Sequence, residues 1–351
     1  QFESGYPYIM FKDNANKNHA LKNIGEIKMS NLCTEIFQLQ ETSIINDYGI
    51  EDFIKRDISC NLGSLNIVNV MDKKAIEDSV YVAMDMLNVV SDLSNINNAP
   101  GVKKANEELH SVGLGAMNLH GYLSKNNIPY VSEYAKEFVN QFFMMVNYYS
   151  IKRSMEIAKE KNETFKDFDK SEYANGNYFR KYIENDYTAK SEIVKKIFEG
   201  MYIPTNEDWF KLSEDVKKYG LYNAYRLAIA PTQSIGYIQN ATPGVGPITE
   251  IIERRTYGDS TTYYPMPYLS RKNILLYKSA FNMDMFKVID LISVIQEHID
   301  QGISTTLYVD SETSTKELAR YYLYAHKKGL KALYYTRTKN LAFEECLTCS
   351  I

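Results

Sequence analysis

The sequence predicts an α/β fold in which parallel strands are concentrated toward the carboxyl terminus. Residues 304–309 and 332–335 read as strands. Between them, Ser314-Thr315-Lys316-Glu317 is a capping box, which predicts a helix that begins there and ends near Gly329. A helix between two strands implies that the strands are parallel and that the crossover is right-handed.

Three further observations complete the predicted architecture. Residues 225–230 resemble a buried strand that runs into the turn-forming residues 231–234. Periodic apolar residues predict one helix within 74–96 and a second from Glu133 to Lys161. Residues 164–186 are polar and irregular, which predicts a surface excursion. The apolar positions are Ile76, Val80, Ala83, Leu87 and Val90 in the first helix, and Phe138, Phe142, Met145 and Tyr149 in the second.

Length and composition favour one globular domain and exclude several functional classes. The chain has 351 residues, of which 44% are apolar, and it contains no internal repeat. The 40 basic and 44 acidic residues give a net charge of −4, which argues against an electrostatic nucleic-acid binder. No apolar run is long enough to cross a bilayer, and no secretory signal opens the chain. Four cysteines are too few for a disulfide scaffold, so we predict a reducing, cytoplasmic environment.

The first candidate site is the triplet Asn31-x-Cys33-x-Glu35. In an extended or looped segment an amide, a thiol and a carboxylate at this spacing can converge on one small ligand. A neighbouring carboxylate raises the pKa of a thiol, so Cys33 is poorly placed to act as a thiolate nucleophile. The triplet suits a neutral thiol that loses a hydrogen atom while the carboxylate handles a proton. Taken alone, a buried cysteine flanked by surface polar groups is the more common explanation.

Two further cysteine features change that balance. Cys60 lies in Ser59-Cys60-Asn61-Leu62-Gly63, and Cys346-x-x-Cys349 closes the chain. A terminal pair of closely spaced cysteines can cycle between a dithiol and a disulfide. Half of a zinc site or an inert tail are the alternatives, and zinc is disfavoured because no histidine stands at ligand spacing near the tail.

The ordered set of motifs resembles class I ribonucleotide reductase, and more narrowly the carboxy-terminal half of the class Ib large subunit. The motifs are Asn31-Leu32-Cys33-Thr34-Glu35, Cys60-Asn61-Leu62-Gly63, Tyr334-Tyr335 and the terminal Cys-x-x-Cys. The resemblance implies the carboxy-terminal half of a ten-stranded α/β barrel, with a central finger loop that carries the catalytic cysteine. Residues 1–340 would form this half-barrel, and residues 341–351 would form a flexible redox tail.

The same resemblance implies a role for each motif. Tyr335 and then Tyr334 would relay a radical to Cys33, whose thiyl form takes the hydrogen atom from C3′ of a ribonucleotide. Glu35 would accept the 3′-hydroxyl proton and Asn31 would hydrogen-bond the sugar hydroxyls. Cys60 would be one member of the dithiol that reduces the substrate radical, and the tail thiols would reduce the resulting disulfide. Substrate would be bound by Asn31, Leu32, Cys33, Thr34 and Glu35 and, at its diphosphate, by Pro231, Thr232, Gln233, Ser234 and Ile235.

The resemblance also implies partners. No metal or cofactor is expected on this chain. The radical would come from a small subunit with a dimetal (Fe or Mn) tyrosyl-radical centre, and the electrons from a thioredoxin- or glutaredoxin-like protein. An amino-terminal half of the large subunit, absent from this chain, would bind nucleotide effectors and supply the second active-site thiol. We therefore expect reduction of ribonucleoside diphosphates only in the presence of that half. A cobalamin-dependent reductase and a catalytically silent assembly fragment are the alternatives.

Overall fold

The structure is a computed structural model that describes residues 1–46, 50–94 and 96–339. In chain order, the strands are β1 Ile9–Met10, β2 Leu62–Asn66, β3 Gly113–Met117, β4 Ile252–Tyr257, β5 Ser260–Pro265, β6 Leu307–Asp310, β7 Ala332–Leu333 and β8 Thr336–Lys339. The α-helices are α1 Lys12–Lys17, α2 Ile67–Asp72, α3 Ile76–Leu93, α4 Pro100–Leu109, α5 Leu119–Lys125, α6 Glu133–Lys161, α7 Arg180–Glu184, α8 Glu192–Ile197, α9 Asn206–Tyr219, α10 Gln233–Ile238, α11 Met285–Gln296 and α12 Thr315–Lys327.

Parallel neighbours form a row through the middle of the molecule. β2 pairs in parallel with β3, and β6 pairs in parallel with β8. Between these pairs, residues 225–230 are joined to β3 by a parallel bridge at Leu227 and to Ile303 by a parallel bridge at Ile229. Since α12 connects β6 to β8, the predicted order of strand, helix and strand is confirmed. Within the described ranges the row does not close into a barrel, and the handedness of the crossover stays a prediction.

Residues 225–230 form two isolated bridges instead of the continuous strand that was predicted. A carboxylate explains the difference. Asp300 accepts hydrogen bonds from the main-chain N–H groups of Arg226, at 3.0 Å, and of Leu227, at 2.8 Å. These donors are therefore not free to join a regular ladder, although the segment stays extended between its two neighbours.

The predicted strand at 332–335 changes partners within its length. β7 pairs antiparallel with β1, in the register Ile9 to Leu333. Tyr334 N–H then donates to the carbonyl of Thr305 at 2.8 Å, and β8 begins only at Thr336. The two tyrosines thus lie at the junction between two pairings, and the boundary prediction was wrong by a few residues.

The long helix α6 has the predicted bounds, and most of its circumference is buried. The stripe predicted on α3 is only partly right, because Ala83 is half-buried and Val90 is 56% exposed. A helix with 3.6 residues per turn places both positions at the edge of the face that starts with Ile76 and Val80. The residues of α3 that are buried are Ile76, Val80, Met84, Leu87, Asn88 and Ser91.

The segment 164–186 is not the surface excursion that its polar composition predicts. It supplies buried aromatic side chains at Phe165, Tyr173, Phe179 and Tyr182. The ring of Tyr182 stacks on Trp209 of α9, with ring centroids 4.0 Å apart. Widely spaced aromatic rings can fill a core in an irregular segment while the intervening polar residues face water, which the hydrophobic periodicity does not reveal.

One hydrophobic core cluster includes residues from Ala15 to Leu333. The row of parallel segments therefore packs in the same core as α3, α6, α9 and α11. In the part of the chain that the structure describes, none of the helices combines the length and the apolar character needed to cross a membrane.

Candidate active site

Cys33 lies in a tight turn that the side chain of Asn31 closes. Asn31 Oδ1 accepts hydrogen bonds from the main-chain N–H groups of Glu35, at 3.2 Å, and Ile36, at 3.0 Å. The turn needs a left-handed residue at Thr34, whose φ is 63°. Asn31 Nδ2 also donates to Glu35 Oε1 at 2.9 Å, so the amide and the carboxylate converge. The looped form of the triplet is therefore the one adopted.

The turn is anchored on the segment that leads into β6. Gly302 N–H donates to the carbonyl of Glu35 at 2.7 Å. A Cβ atom on Gly302 would overlap the ring of Phe37 and lie 2.8 Å from the carbonyl oxygen of Thr34. Only glycine therefore allows this close approach of the two backbones.

Ser304 joins the main chain of Cys33 to the carboxylate of Glu35, and sequence reasoning missed it. Its hydroxyl Oγ lies 2.5 Å from the carbonyl oxygen of Cys33 and 3.2 Å from Glu35 Oε2. The hydroxyl has one proton, so the two acceptors share it. Its position at the head of a predicted strand was the only signal in the sequence.

The electrostatics of the site favour neutral thiols. Burial raises the pKa of Cys33; the hydrogen bond from Tyr334 opposes this rise and the charge of Glu35 adds to it. Cys60 is exposed, but partial desolvation by its neighbours, with the charges of Glu35 and Cys33, raises its pKa to about 11. Burial also raises the pKa of Glu35, although hydrogen bonds from Asn31 and Ser304 partly offset that rise. A thiolate nucleophile is disfavoured, whereas hydrogen-atom chemistry is compatible with these groups.

Cys60 lies beside the same turn, just before β2. Asn31 Nδ2 is 4.0 Å from Cys60 Sγ, so one amide contacts both the carboxylate and the second thiol. Cys33 and Cys60 are free thiols. The structure thus brings together Asn31, Cys33, Glu35 and Cys60, while their roles stay predictions.

The tyrosine pair lies against the first thiol. Tyr334 donates its hydroxyl hydrogen bond to Cys33 Sγ, at 3.7 Å, although the two residues are 301 positions apart in the chain. The ring of Tyr335 follows, with its centroid 4.2 Å from that of Tyr334 and an interplanar angle of 61°. Tyr335, Tyr334 and Cys33 therefore form a continuous contact path.

Two further tyrosines join this path and were not selected from the sequence. Because β1 and β7 are antiparallel with Ile9 opposite Leu333, Tyr8 comes opposite Tyr334. The ring centroid of Tyr8 is 4.7 Å from that of Tyr334, and the centroid of Tyr6 is 5.6 Å from that of Tyr335. The sequence feature that could have identified Tyr6 and Tyr8 is their Tyr-x-Tyr spacing near the start of the chain. That spacing predicts no contact until the strand that pairs with this segment is known.

The predicted phosphate loop begins at the end of the extended segment 225–230. Thr232 precedes α10, and its Oγ1 accepts a hydrogen bond from Gly244 N–H at 2.7 Å. The carbonyl of Ile229 accepts from Ser304 N–H at 2.9 Å, so the loop starts close to the residue that contacts Cys33 and Glu35. Among the predicted substrate-binding residues, Thr34, Glu35 and Thr232 are buried, Asn31 and Cys33 are half-buried, and Leu32, Pro231, Gln233, Ser234 and Ile235 are exposed.

Two remaining predictions concern metals and the tail. The described ranges contain no group of three or more His, Cys, Asp or Glu side chains arranged to hold a metal ion. Cys346 and Cys349 lie outside the described residues, as does the predicted tail 341–351.

Comparison with known proteins matches residues 1–336 to a family model described as ribonucleotide reductase, barrel domain. The ribonucleoside-diphosphate reductase subunit alpha of Bacillus subtilis (strain 168) is 56% identical over 349 residues, which cover 99% of this chain and 50% of the relative. The subunit of the same name from Mycoplasma pneumoniae is 41% identical over 98% of this chain and 48% of the relative. That from Treponema pallidum (strain Nichols) is 31% identical over 99% of this chain and 40% of the relative. The chain thus spans about half the length, or less, of these curated relatives.

Proposed function

The chain belongs to the ribonucleotide reductase barrel-domain family, and on that premise we propose that it carries the reaction centre of a ribonucleoside-diphosphate reductase. The reaction is the reduction of a ribonucleotide to a 2′-deoxyribonucleotide, which supplies precursors for DNA synthesis. One observation carries the proposal: the hydroxyl of Tyr334 contacts Cys33 Sγ at 3.7 Å, beside the carboxylate of Glu35.

The proposed chemistry assigns one step to each group of the turn. Cys33, as a thiyl radical, takes the hydrogen atom from C3′ of the ribose. Glu35 accepts the 3′-hydroxyl proton, and Asn31 hydrogen-bonds the sugar hydroxyls while holding Glu35 in place at 2.9 Å. A neutral Cys33 thiol supports this assignment, since its S–H bond is the one that the relay must break. Close control of geometry matters because a radical that misses its hydrogen atom is lost to side reactions.

Substrate and reductant complete the proposal. The loop Pro231–Ile235 binds the diphosphate through hydroxyl and main-chain N–H groups; its start beside Ser304 supports this. Cys60 provides one of the two thiols that reduce the substrate radical, and Asn31 links it to Glu35. The tail thiols Cys346 and Cys349 return the active-site disulfide to a dithiol by thiol exchange.

The partners follow from the class Ib resemblance. A small subunit with an Fe or Mn dimetal tyrosyl-radical centre delivers the hole to the tyrosine path. A thioredoxin- or glutaredoxin-like protein reduces the disulfide formed by the tail thiols. An amino-terminal half completes the ten-stranded barrel, binds nucleotide effectors and supplies the second active-site thiol. The length of the relatives, about twice that of this chain, supports the existence of that half. The turn at Cys33 acts as the finger loop, and free thiols at Cys33 and Cys60 favour a cytoplasmic location.

The test compares deoxyribonucleotide formation by this chain alone and by the chain reassembled with its amino-terminal half and the small subunit. We expect turnover only in the reassembled enzyme, and robust turnover by the isolated chain would contradict the proposed need for the amino-terminal half. In the reassembled enzyme, Cys33→Ser should abolish reduction while substrate binding is kept. If Cys33→Ser left reduction intact, the chain would be an assembly fragment without a catalytic role.

A further inference from the structure

We propose that Tyr6 is a further redox-active tyrosine, which receives the hole at the protein surface and passes it to Tyr335. The inference rests on the proposed function, because it concerns the path by which a radical reaches Cys33. It adds a third phenol to the pair that the sequence motifs indicate.

The hydroxyl groups support a direct exchange between the two residues. The Tyr6 and Tyr335 hydroxyl oxygens are 3.4 Å apart, and either can be the donor. Their rings meet edge to face, with an interplanar angle of 68°. Oxidation of a phenol requires loss of a proton together with the electron, so a hydrogen-bonded phenol is a suitable partner. A tyrosine that served only for packing would not need its hydroxyl at this place.

The backbone holds Tyr6 in this position. Gly5 has a φ of 78°, and a Cβ atom there would lie 3.0 Å from Cδ1 of Tyr335. Glycine therefore allows the chain to turn directly against the Tyr335 ring. The carbonyl of Gln1 accepts a hydrogen bond from Gly5 N–H at 2.8 Å, which closes the turn. The approach of Tyr6 to Tyr335 is thus built into the local backbone.

The solvent exposure of the tyrosine side chains indicates at which residue the radical enters the path. The Tyr6 side chain is 53% exposed, whereas Tyr8, Tyr334 and Tyr335 are half-buried. Tyr8 contacts the other rings of the cluster, with its ring centroid 5.3 Å from that of Tyr6 and 5.1 Å from that of Tyr335. Burial, followed by hydrogen bonding to Tyr335, raises the pKa of Tyr8. Tyr6 is therefore the member of the cluster that a partner protein can reach most directly.

The transfer is balanced at each step. The oxidant is the radical of the partner small subunit, which takes one electron and one proton from the O–H bond of Tyr6. The Tyr6 phenoxyl radical then takes a hydrogen atom from Tyr335, and the Tyr335 radical takes one from Tyr334. The Tyr334 radical finally breaks the S–H bond of Cys33, so one hydrogen atom has left the thiol. The same steps run in reverse after turnover.

The first experiment replaces Tyr6 by 3-aminotyrosine in the enzyme reassembled from this chain, its amino-terminal half and the small subunit. Aminotyrosine is oxidised more easily than tyrosine, so it traps the hole. We expect an aminotyrosyl signal in the electron paramagnetic resonance spectrum on addition of substrate, with a matching loss of the small-subunit radical. Aminotyrosine at Tyr134, an exposed residue of α6, is the matched control and should give no such signal.

The second experiment distinguishes a residue that the radical must pass through from a neighbouring residue that only traps the radical. Tyr6→Phe keeps the ring against Tyr335 and removes the hydroxyl, and we expect turnover to fall at least about tenfold with substrate affinity unchanged. Full turnover by this variant, with or without a trapped radical at position 6, would overturn the inference. Aminotyrosine at Tyr335 tests the proposed function separately. A signal there without one at position 6 refutes only the inference, whereas no signal at Tyr335 refutes the relay itself.

Discussion

Replacing Ser304 by alanine removes a hydroxyl that contacts both the carbonyl of Cys33 and the carboxylate of Glu35. The hydrogen bond to Glu35 stabilises its ionised form and so lowers the pKa of that carboxyl. Glu35 must be ionised to accept the 3′-hydroxyl proton in the proposed reaction. Loss of the bond therefore raises the pKa of Glu35, and the acid limb of the pH profile moves to higher pH.

The size of the effect follows from the shared proton. A hydrogen bond to a charged group contributes about 1.5–3 kcal/mol, and the lower end applies because Ser304 divides its proton between two acceptors. About 1.4 kcal/mol corresponds to a tenfold change. We expect kcat/KM of Ser304→Ala to fall by roughly tenfold on the acid limb. The difference in kcat/KM between Ser304→Ala and the unaltered enzyme should become smaller at higher pH, because Glu35 is then ionised in both.

The assay is the pH dependence of kcat/KM in the reassembled enzyme. Ser293→Ala is the matched control, because Ser293 also donates its hydroxyl to a main-chain carbonyl, that of Asp290 at 2.7 Å, in α11. The control should leave the profile unchanged. A loss in Ser304→Ala that is equal at every pH would refute the reasoning, since it would mean that Ser304 acts only on the position of Cys33.

Three further predictions concern a thiol, a buried ion pair and the histidines. Cys60→Ser should abolish turnover and keep substrate affinity, because the substrate radical then lacks its reductant. Asp300→Ala should lower the free energy of unfolding, measured in urea, by about 3–5 kcal/mol, because it leaves the buried guanidinium of Arg226 without the carboxylate 3.3 Å away. Burial lowers the pKa of His19 to about 3 and of His120 to about 4. Since their folded pKa values lie below the unfolded value, stability falls as the pH drops below about 6.5, by about 2 kcal/mol per histidine between pH 7 and 5.

Each of these outcomes has a control. Turnover in Cys60→Ser would exclude that thiol from the reducing pair. Replacing both partners of the ion pair, as Arg226→Met with Asp300→Leu, should recover part of the lost stability, and a double variant as unstable as the single one would contradict the charge argument. His19→Gln should reduce the difference in urea midpoint between pH 7 and pH 5, and an unchanged difference would show that His19 is not the group that titrates.

Much of the fold could be predicted because its signals are local. Ser314 accepts a hydrogen bond from Glu317 N–H at 3.2 Å, as the capping motif at the start of α12 predicts. The positive φ of Gly329, 86°, lies just after the end of the same helix. The predictions failed where a distant group intervened. Asp300 accepts hydrogen bonds from main-chain N–H groups of the segment 225–230, and no local sequence pattern predicts that contact.

In the candidate site, too, local motifs could be recognised in the sequence, whereas the contacts between distant residues could not. The motif around Cys33, Cys60, the tyrosine pair and the terminal Cys-x-x-Cys resemble class I ribonucleotide reductase in their order along the chain, and that resemblance implies thiol radical chemistry. The contact of Tyr334 with Cys33 spans 301 positions. Tyr334 N–H donates to the carbonyl of Thr305 beside this contact, and neither the motif nor any periodicity contains that pairing.

The sequence by itself thus determined which side-chain chemistry is present and where many helices and strands lie. It did so because helix caps, apolar periodicity and short motifs are defined by residues only a few positions apart. The desolvation that raises the pKa of both thiols, the bridging hydroxyl of Ser304 and the cluster that Tyr6 and Tyr8 form with Tyr334 and Tyr335 came only with the folded chain. The physical reason is register. For the tyrosine cluster, the pairing of Ile9 with Leu333 sets which side chains meet, and no local signal in the sequence specifies that pairing.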